Sequence, residues 1–221
     1  MCLARIPANR VAYGDDVYLE KTCPDHGFTR TILWRGSPAY ASWGREKIPN
    51  HPAKPFTEVD QGCPYDCGLC SAHRQTPCCV LLEVTQRCDL GCPVCFASAE
   101  IDKGVDTDLA TIRSWYDRML EAGGPFNVQL SGGEPCLRDD LPDIITMGKE
   151  IGFTYFQVNT NGLRIAKDLV YLQRLKDAGL QVVYLQFDGT KDEIYQQLRG
   201  RSLFAEKINA IENCRKVGLG V

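Results

Sequence analysis

The sequence is short of most features that would take a chain out of the ordinary globular class. It has no excess of one charge: 25 Lys and Arg stand against 28 Asp and Glu, a formal net charge of −3. That balance argues against nucleic acid or an acidic membrane surface as a partner. No apolar run approaches the roughly 20 residues a membrane helix needs, so no transmembrane segment is expected. The opening Met1–Pro7 stretch has no long apolar core of the kind a secretory signal carries, and it breaks at Pro7. Low-complexity tracts are missing. Hydrophobic residues at 44% and charged residues at 24% exclude wholesale disorder. A length of 221 residues suffices to bury a core without disulfides.

Cysteine, by contrast, is abundant. Of 12 Cys, eight (Cys63, Cys67, Cys70, Cys78, Cys79, Cys88, Cys92 and Cys95) fall in one short stretch. A secreted disulfide framework spreads its cysteines more evenly, whereas clustered thiols in a reducing compartment bind metal. The expectation is a cytoplasmic metalloprotein.

Two regions differ in texture. Residues 1–78 carry little helical periodicity, many Pro, Gly and aromatic residues, and two of the three Trp. They read as an irregular, Cys-rich, metal-binding region. Residues 79–221 alternate between strand and helix patterns. Strands are expected at Val80–Val84, Phe126–Leu130, Thr154–Val158 and Gln181–Phe187. Helices are expected at 107–122, 139–151, 165–178, 191–198 and 203–217, the last with Phe204, Ile208 and Ile211 at helical spacing. Such alternation builds a parallel sheet, so the expected fold class is α/β, an open sheet or a partial (β/α) barrel of about four units. Gly218–Val221 reads as a further strand beginning. The expectation is therefore a truncated catalytic domain with an open sheet edge prone to self-association.

The strongest motif is Cys88-x3-Cys92-x2-Cys95, in the loop after the first strand of the alternating region. Active sites of parallel α/β folds lie at the C-terminal ends of strands. Three thiolates can hold three irons of a [4Fe–4S] cluster and leave the fourth open. A zinc knuckle or buried thiols are the plainer alternatives. One βα unit later, Ser131-Gly132-Gly133-Glu134-Pro135 closes the second strand. Glycines there let a ligand approach the backbone, and Glu134 can accept from an ammonium group.

Together these paired motifs resemble the radical S-adenosylmethionine (SAM) superfamily, over about residues 79–221. The resemblance implies a partial radical SAM barrel in which Cys88, Cys92 and Cys95 ligate a [4Fe–4S] cluster. It also implies that SAM chelates the open iron, with Ser131 to Pro135 lining its methionine amino group. Reductive cleavage would then yield a 5′-deoxyadenosyl radical, chemistry that belongs to the cofactor while the protein positions it and excludes water. Members often carry an aromatic residue before the third Cys; here Val94 stands there and Phe96 follows. By position, Asn159 and Asn161, and Gln186 and Asp188, resemble the family's contacts to the SAM ribose and carboxylate. Arg199 resembles the Arg that pairs with that carboxylate. Plain turns and a solvated Arg are the alternative reading of these residues.

Upstream, Cys63-x3-Cys67-x2-Cys70 repeats the spacing without a clear preceding strand. Cys78, or its neighbour Cys79, can complete an all-thiolate set for an auxiliary [4Fe–4S] cluster; a structural zinc is the alternative, and His73 is a poorer ligand. Cys23-Pro24-Asp25-His26 is a half-site to which Cys2 adds a ligand, suited to one Zn or Fe ion. An unbound Cys and a surface His are the plainer reading. The whole layout resembles the class D radical SAM methyltransferase group, which includes 7,8-dihydro-6-hydroxymethylpterin dimethyltransferases and tetraether lipid synthases. That implies methylation or C–C bond formation on a small pterin-like or lipid substrate, with an electron donor such as ferredoxin or flavodoxin. The competing classes are a non-catalytic zinc-ribbon module and a two-cluster electron-transfer protein.

Overall fold

The computed structural model describes residues 5–44, 50–62, 65–66, 69–93, 95–101 and 104–221. Cys2, Cys63 and Cys67, three of the expected ligands, lie outside the described residues. The chain divides into two compact units, Met1–Pro49 and Asn50–Val221.

The first unit is a three-stranded antiparallel sheet of β1 (Ala8–Tyr13), β2 (Asp16–Cys23) and β3 (Gly27–Trp34), followed by the one-turn helix α1 (Tyr40–Trp43). The region expected to be irregular is therefore regular over these strands. Most of their residues are exposed or half-buried on both faces, so the sequence shows no clean apolar alternation. Cross-strand side-chain pairs stabilise the sheet instead. Arg30 lies 4.4 Å from the Tyr13 ring centre and pairs with Glu20 at 2.7 Å, while Tyr13 donates to Glu20 at 2.8 Å.

The second unit is a parallel sheet in the order β4 (Cys79–Thr85), β5 (Asn127–Gly132), β6 (Phe156–Thr160) and β7 (Val182–Leu185). Between and after these strands run α2 (Leu109–Glu121), α3 (Leu141–Ile151), α4 (Leu169–Ala178), α5 (Asp192–Arg199) and α6 (Phe204–Val217). Beyond α6, Gly220 bridges to Val182 in parallel, with Val183 N–H donating to the Gly220 carbonyl at 2.8 Å.

The core lies between sheet and helices. Val84, Val128, Leu130 and Val158 meet Ile112 and Tyr116 of α2, Ile144 and Ile145 of α3, Leu172 and Leu175 of α4, and Ala210 and Cys214 of α6. Burying such a set is the main stabilising term of the unit. Asp108 caps α2 by accepting from Thr111 N–H at 2.7 Å, and Asp168 caps α4 through Tyr171 N–H at 2.8 Å. Cys136 and Cys214 are packing residues in this core. The described residues between 50 and 78 belong with this unit: Phe56 and Leu69 pack on the core, and Lys54 pairs with Glu121 at 2.9 Å. In α6 the buried positions are Lys207, Ala210, Cys214 and Val217, while Ile208 is exposed. Among the described residues no helix is long and apolar enough to cross a membrane.

Candidate active site

The site forms where β4, β5, β6 and β7 end. After β4 the chain makes a loop that carries Cys88, Cys92 and Cys95, and this loop is pinched at its base. Cys88 N–H donates to the Glu100 carbonyl at 3.2 Å, and Glu100 N–H to Gln86 at 3.3 Å. Arg87 forks onto Asp106 at 3.0 and 2.5 Å, and Thr85 donates to the same carboxylate at 2.6 Å. Arg87 holds the Asp106 carboxyl below the usual carboxylate range. Within the loop Leu90 is buried against Leu163, Tyr195 and Leu203. Burial pushes the Cys88 thiol up to about 11.

The double glycine is demanded by the chain's own backbone. Gly132 has φ +120°, and a Cβ there would lie 2.1 Å from the Thr85 carbonyl oxygen. At Gly133 it would lie 2.2 Å from the Arg87 carbonyl oxygen. This close approach lets Gly133 N–H donate to Thr85 at 2.9 Å and Glu134 N–H to Arg87 at 2.8 Å, which joins β5 to the loop base. Glu134 is buried, 1% exposed. One carboxylate oxygen accepts from Cys136 N–H at 2.9 Å and Thr160 Oγ1 at 2.6 Å; the other accepts from Asn161 N–H at 2.6 Å. Burial raises its pKa and those hydrogen bonds oppose the rise.

From β6, Asn161 donates through Nδ2 to Asp89 at 2.7 Å, which reaches the cysteine loop. From the β7 side, Arg199 forks onto Asp188 at 2.8 and 2.5 Å. The Gln186 amide oxygen, oriented by its neighbours, accepts from Arg199 at 2.9 and 2.8 Å, and Arg199 Nη1 lies 3.9 Å from Cys92 Sγ. Arg199 holds Asp188 below the usual carboxylate range.

These ends line a cleft that opens to solvent. Cys88, Cys92, Cys95, Gly132, Gly133, Glu134, Asn159, Asn161, Gln186 and Arg199 all line it, together with Phe96. Ser131 and Pro135 are buried beneath, Ser131 being 3.4 Å from Asn159 Nδ2. Asp188 sits behind Arg199. Cys88, Cys92 and Cys95 are less tightly gathered than Cys23, Asp25 and His26. That trio alone, among the described residues, brings metal-ligand atoms within 4.8 Å of one another. Thiolates set apart around a cleft suit a polynuclear cluster, in which each takes a different iron, better than a single ion.

The other expected ligands lie elsewhere. Cys70 is buried at a bridge to Thr57, and Cys78 is exposed just before β4, at the opposite end of that strand from the cleft. In the intervening loop the Asp66 carboxylate accepts from the N–H groups of Asp60 at 3.0 Å and Gly62 at 2.5 Å. In the first unit Cys23 Sγ lies 3.4 Å from His26 Nδ1, with Asp25 as an unforeseen third donor. Sequence reasoning also missed Asp89 and Lys207. Asp89 could have been found from its place between two candidate ligands. Lys207 could have been found as the one cation on the 203/207/210/214 face of α6.

The model of the "Radical SAM superfamily" matches residues 82–221, and that of the "HMPTM N-terminal zinc ribbon domain" matches residues 1–35. The chain is 38% identical to the 7,8-dihydro-6-hydroxymethylpterin dimethyltransferase of Methanocaldococcus jannaschii, over 99% of this chain and 43% of the relative. It is 31% identical to the Fe-coproporphyrin III synthase of Methanosarcina barkeri, over 64% of this chain and 35% of that protein. The chain spans less than half the length of these curated relatives. Among solved structures, anSMEcpe with bound AdoMet and a Cp18Cys peptide aligns at TM-score 0.52 and 22% identity, over 64% of this chain and 40% of that one. Methylornithine synthase aligns at TM-score 0.51 and 18% identity, over 64% and 42%. These two likenesses show the fold.

Proposed function

This chain belongs to the radical SAM superfamily, and from that premise we propose that its enzymatic centre is the cleft at the ends of β4–β7. Cys88, Cys92 and Cys95 would hold a [4Fe–4S] cluster, and SAM would occupy the space beside Gly132, Gly133, Glu134, Asn159, Asn161, Gln186 and Arg199. The cluster and SAM, once bound and reduced, would supply a 5′-deoxyadenosyl radical. The chain's own residues would hold the reactants. Glu134 offers a dry carboxylate to the amino group, its other lone pairs already taken. Arg199 would meet the SAM carboxylate only by sharing its fork with Asp188 and Gln186. The observation that carries this reading is the convergence of the three cysteines and the Gly-Gly-Glu strand end on one cleft.

The finer reading is methylation or C–C bond formation at an unactivated carbon. The substrate class is taken from the M. jannaschii relative, a pterin dimethyltransferase by name. A ferredoxin- or flavodoxin-like donor would supply the electron. Residues 79–221 would form the catalytic core, and residues 1–78, which span the first unit and the opening of the second, a metal-binding region. In that region Cys63, Cys67, Cys70 and Cys78 would hold an auxiliary cluster, and Cys2, Cys23 and His26 a Zn or Fe ion. Anaerobic purification with iron, sulfide and zinc analysis tests the metal assignments. About two clusters and one zinc per chain support them. Zinc at every site, with no sulfide, overturns them in favour of a zinc module. Supplying a pterin or a lipid then separates methyl transfer from chain coupling.

A further inference from the structure

We propose that Asp89, Asn161 and Lys207 form a positioning relay that holds the cysteine loop in place. Its relevance to catalysis rests on the reading of Cys88 and Cys92 as cluster ligands. Asp89 lies between those two cysteines and accepts from Asn161 Nδ2 at 2.7 Å. Asn161 spends its polar atoms on protein partners. Its N–H donates to Glu134 at 2.6 Å, its side-chain oxygen accepts from Leu163 N–H at 2.9 Å, and its carbonyl accepts from Lys207 Nζ at 2.5 Å. A side chain committed in this way orients the protein around it.

Lys207 is fully buried on α6 and does not line the cleft. An ammonium in such a place is costly to desolvate unless it is paired and hydrogen-bonded. Burial draws its pKa down; Asp188 behind β7 and Glu134 at the end of β5 oppose that, and Arg199 of α5 reinforces it. The Tyr195 ring centre lies 5.8 Å away. The rest of this helix face is apolar, with Ala210, Cys214 and Val217. A leucine would extend that face without the desolvation cost, but it could not hold the Asn161 carbonyl. The Asn161 peptide is thus held from both sides, its N–H by a carboxylate and its carbonyl by an ammonium. Charge-assisted bonds of this kind are the stronger ones. Through Asn161, α6 fixes a loop more than a hundred residues earlier in the chain.

Hydrogen exchange on the anaerobically purified full chain tests the relay, read on peptides covering 86–100 with strand β5 as internal control. Asp89→Ala should speed exchange in that loop about tenfold, the effect of one charge-assisted hydrogen bond, and leave β5 unchanged. Asp89→Asn retains a neutral acceptor of about half the strength and should speed exchange only about threefold. Lys207→Met should open the same loop, and adding it to Asp89→Ala should produce no further change. Unchanged loop exchange in Asp89→Ala overturns the relay, as does an Asp89→Asn variant as open as the Ala variant. Effects of the two substitutions that multiply also overturn it. If Lys207→Met does not fold, the Asp89 pair decides alone. The cluster reading fails separately, if a Cys88/Cys92/Cys95 triple Ala variant keeps its full iron.

Discussion

Replacing Gly133 by Ala puts a methyl carbon 2.2 Å from the Arg87 carbonyl oxygen and 3.0 Å from the Ala99 β-carbon. Ordinary contact needs ~3.5 Å, so the shortfall at the carbonyl is about 1 Å or more. The obstacle is backbone, which cannot rotate aside as a side chain would. The end of β5 and the base of the cysteine loop must therefore separate. The bonds that join them, Gly133 N–H to Thr85 at 2.9 Å and Glu134 N–H to Arg87 at 2.8 Å, are then lost. At about 1 kcal/mol each, that is about 2 kcal/mol. For a chain of this size the melting temperature should fall by roughly 4–8 °C. Calorimetry on the anaerobic protein reads the fall, and iron per chain reads whether the loop still holds metal. Gly91→Ala is the control, since a Cβ there meets nothing within 4 Å. If Gly133→Ala melts with the parent while keeping full iron, the close-approach argument is wrong.

Arg138 is buried and donates to the Val84 and Thr107 carbonyls at 2.7 Å each and to Asp140 at 2.8 and 2.6 Å. Arg138→Ala removes the donor to the buried Val84 carbonyl and the half-buried Thr107 carbonyl and should cost about 3 kcal/mol in urea denaturation. Asp106 and Asp188 both sit below their ordinary pKa, so each contributes stability that is present above about pH 4 and lost as the pH falls through the folded-state value. Asp188→Asn should flatten the acid limb of a stability–pH profile, and an unaltered limb counts against the Arg199 pairing. His26→Ala should lower the content of bound Zn or Fe by about one ion per chain, read by metal analysis.

The βα alternation of the second unit was legible because each helix carries an apolar stripe and each strand a short apolar run. Boundaries slipped where turns share that apolarity. Residues 165–168 read as helix but form a turn, with Asp168 N–H donating to Arg164 at 2.9 Å, before α4 starts at Leu169. The antiparallel sheet of residues 8–34 was not legible, since strands exposed on both faces lack the alternation that marks a buried face. In α6 the spacing drew attention to Phe204, Ile208 and Ile211, whereas Lys207 is the residue buried. A helix face that hides an ammonium cannot be read from apolar spacing alone. At the site, the motif residues were visible one by one. That Gly132 and Gly133 answer to the chain's own backbone was not, because the close approach involves residues some 45 positions earlier.

The central claim is that Cys88, Cys92 and Cys95 hold the cluster at which SAM is cleaved. The direct measurement is 5′-deoxyadenosine formed by dithionite-reduced protein, parent against the triple Cys→Ala variant, with iron and sulfide counted in both. The account predicts product from the parent, none from the variant, and a loss of about four irons confined to one cluster. Undiminished 5′-deoxyadenosine from the variant contradicts it.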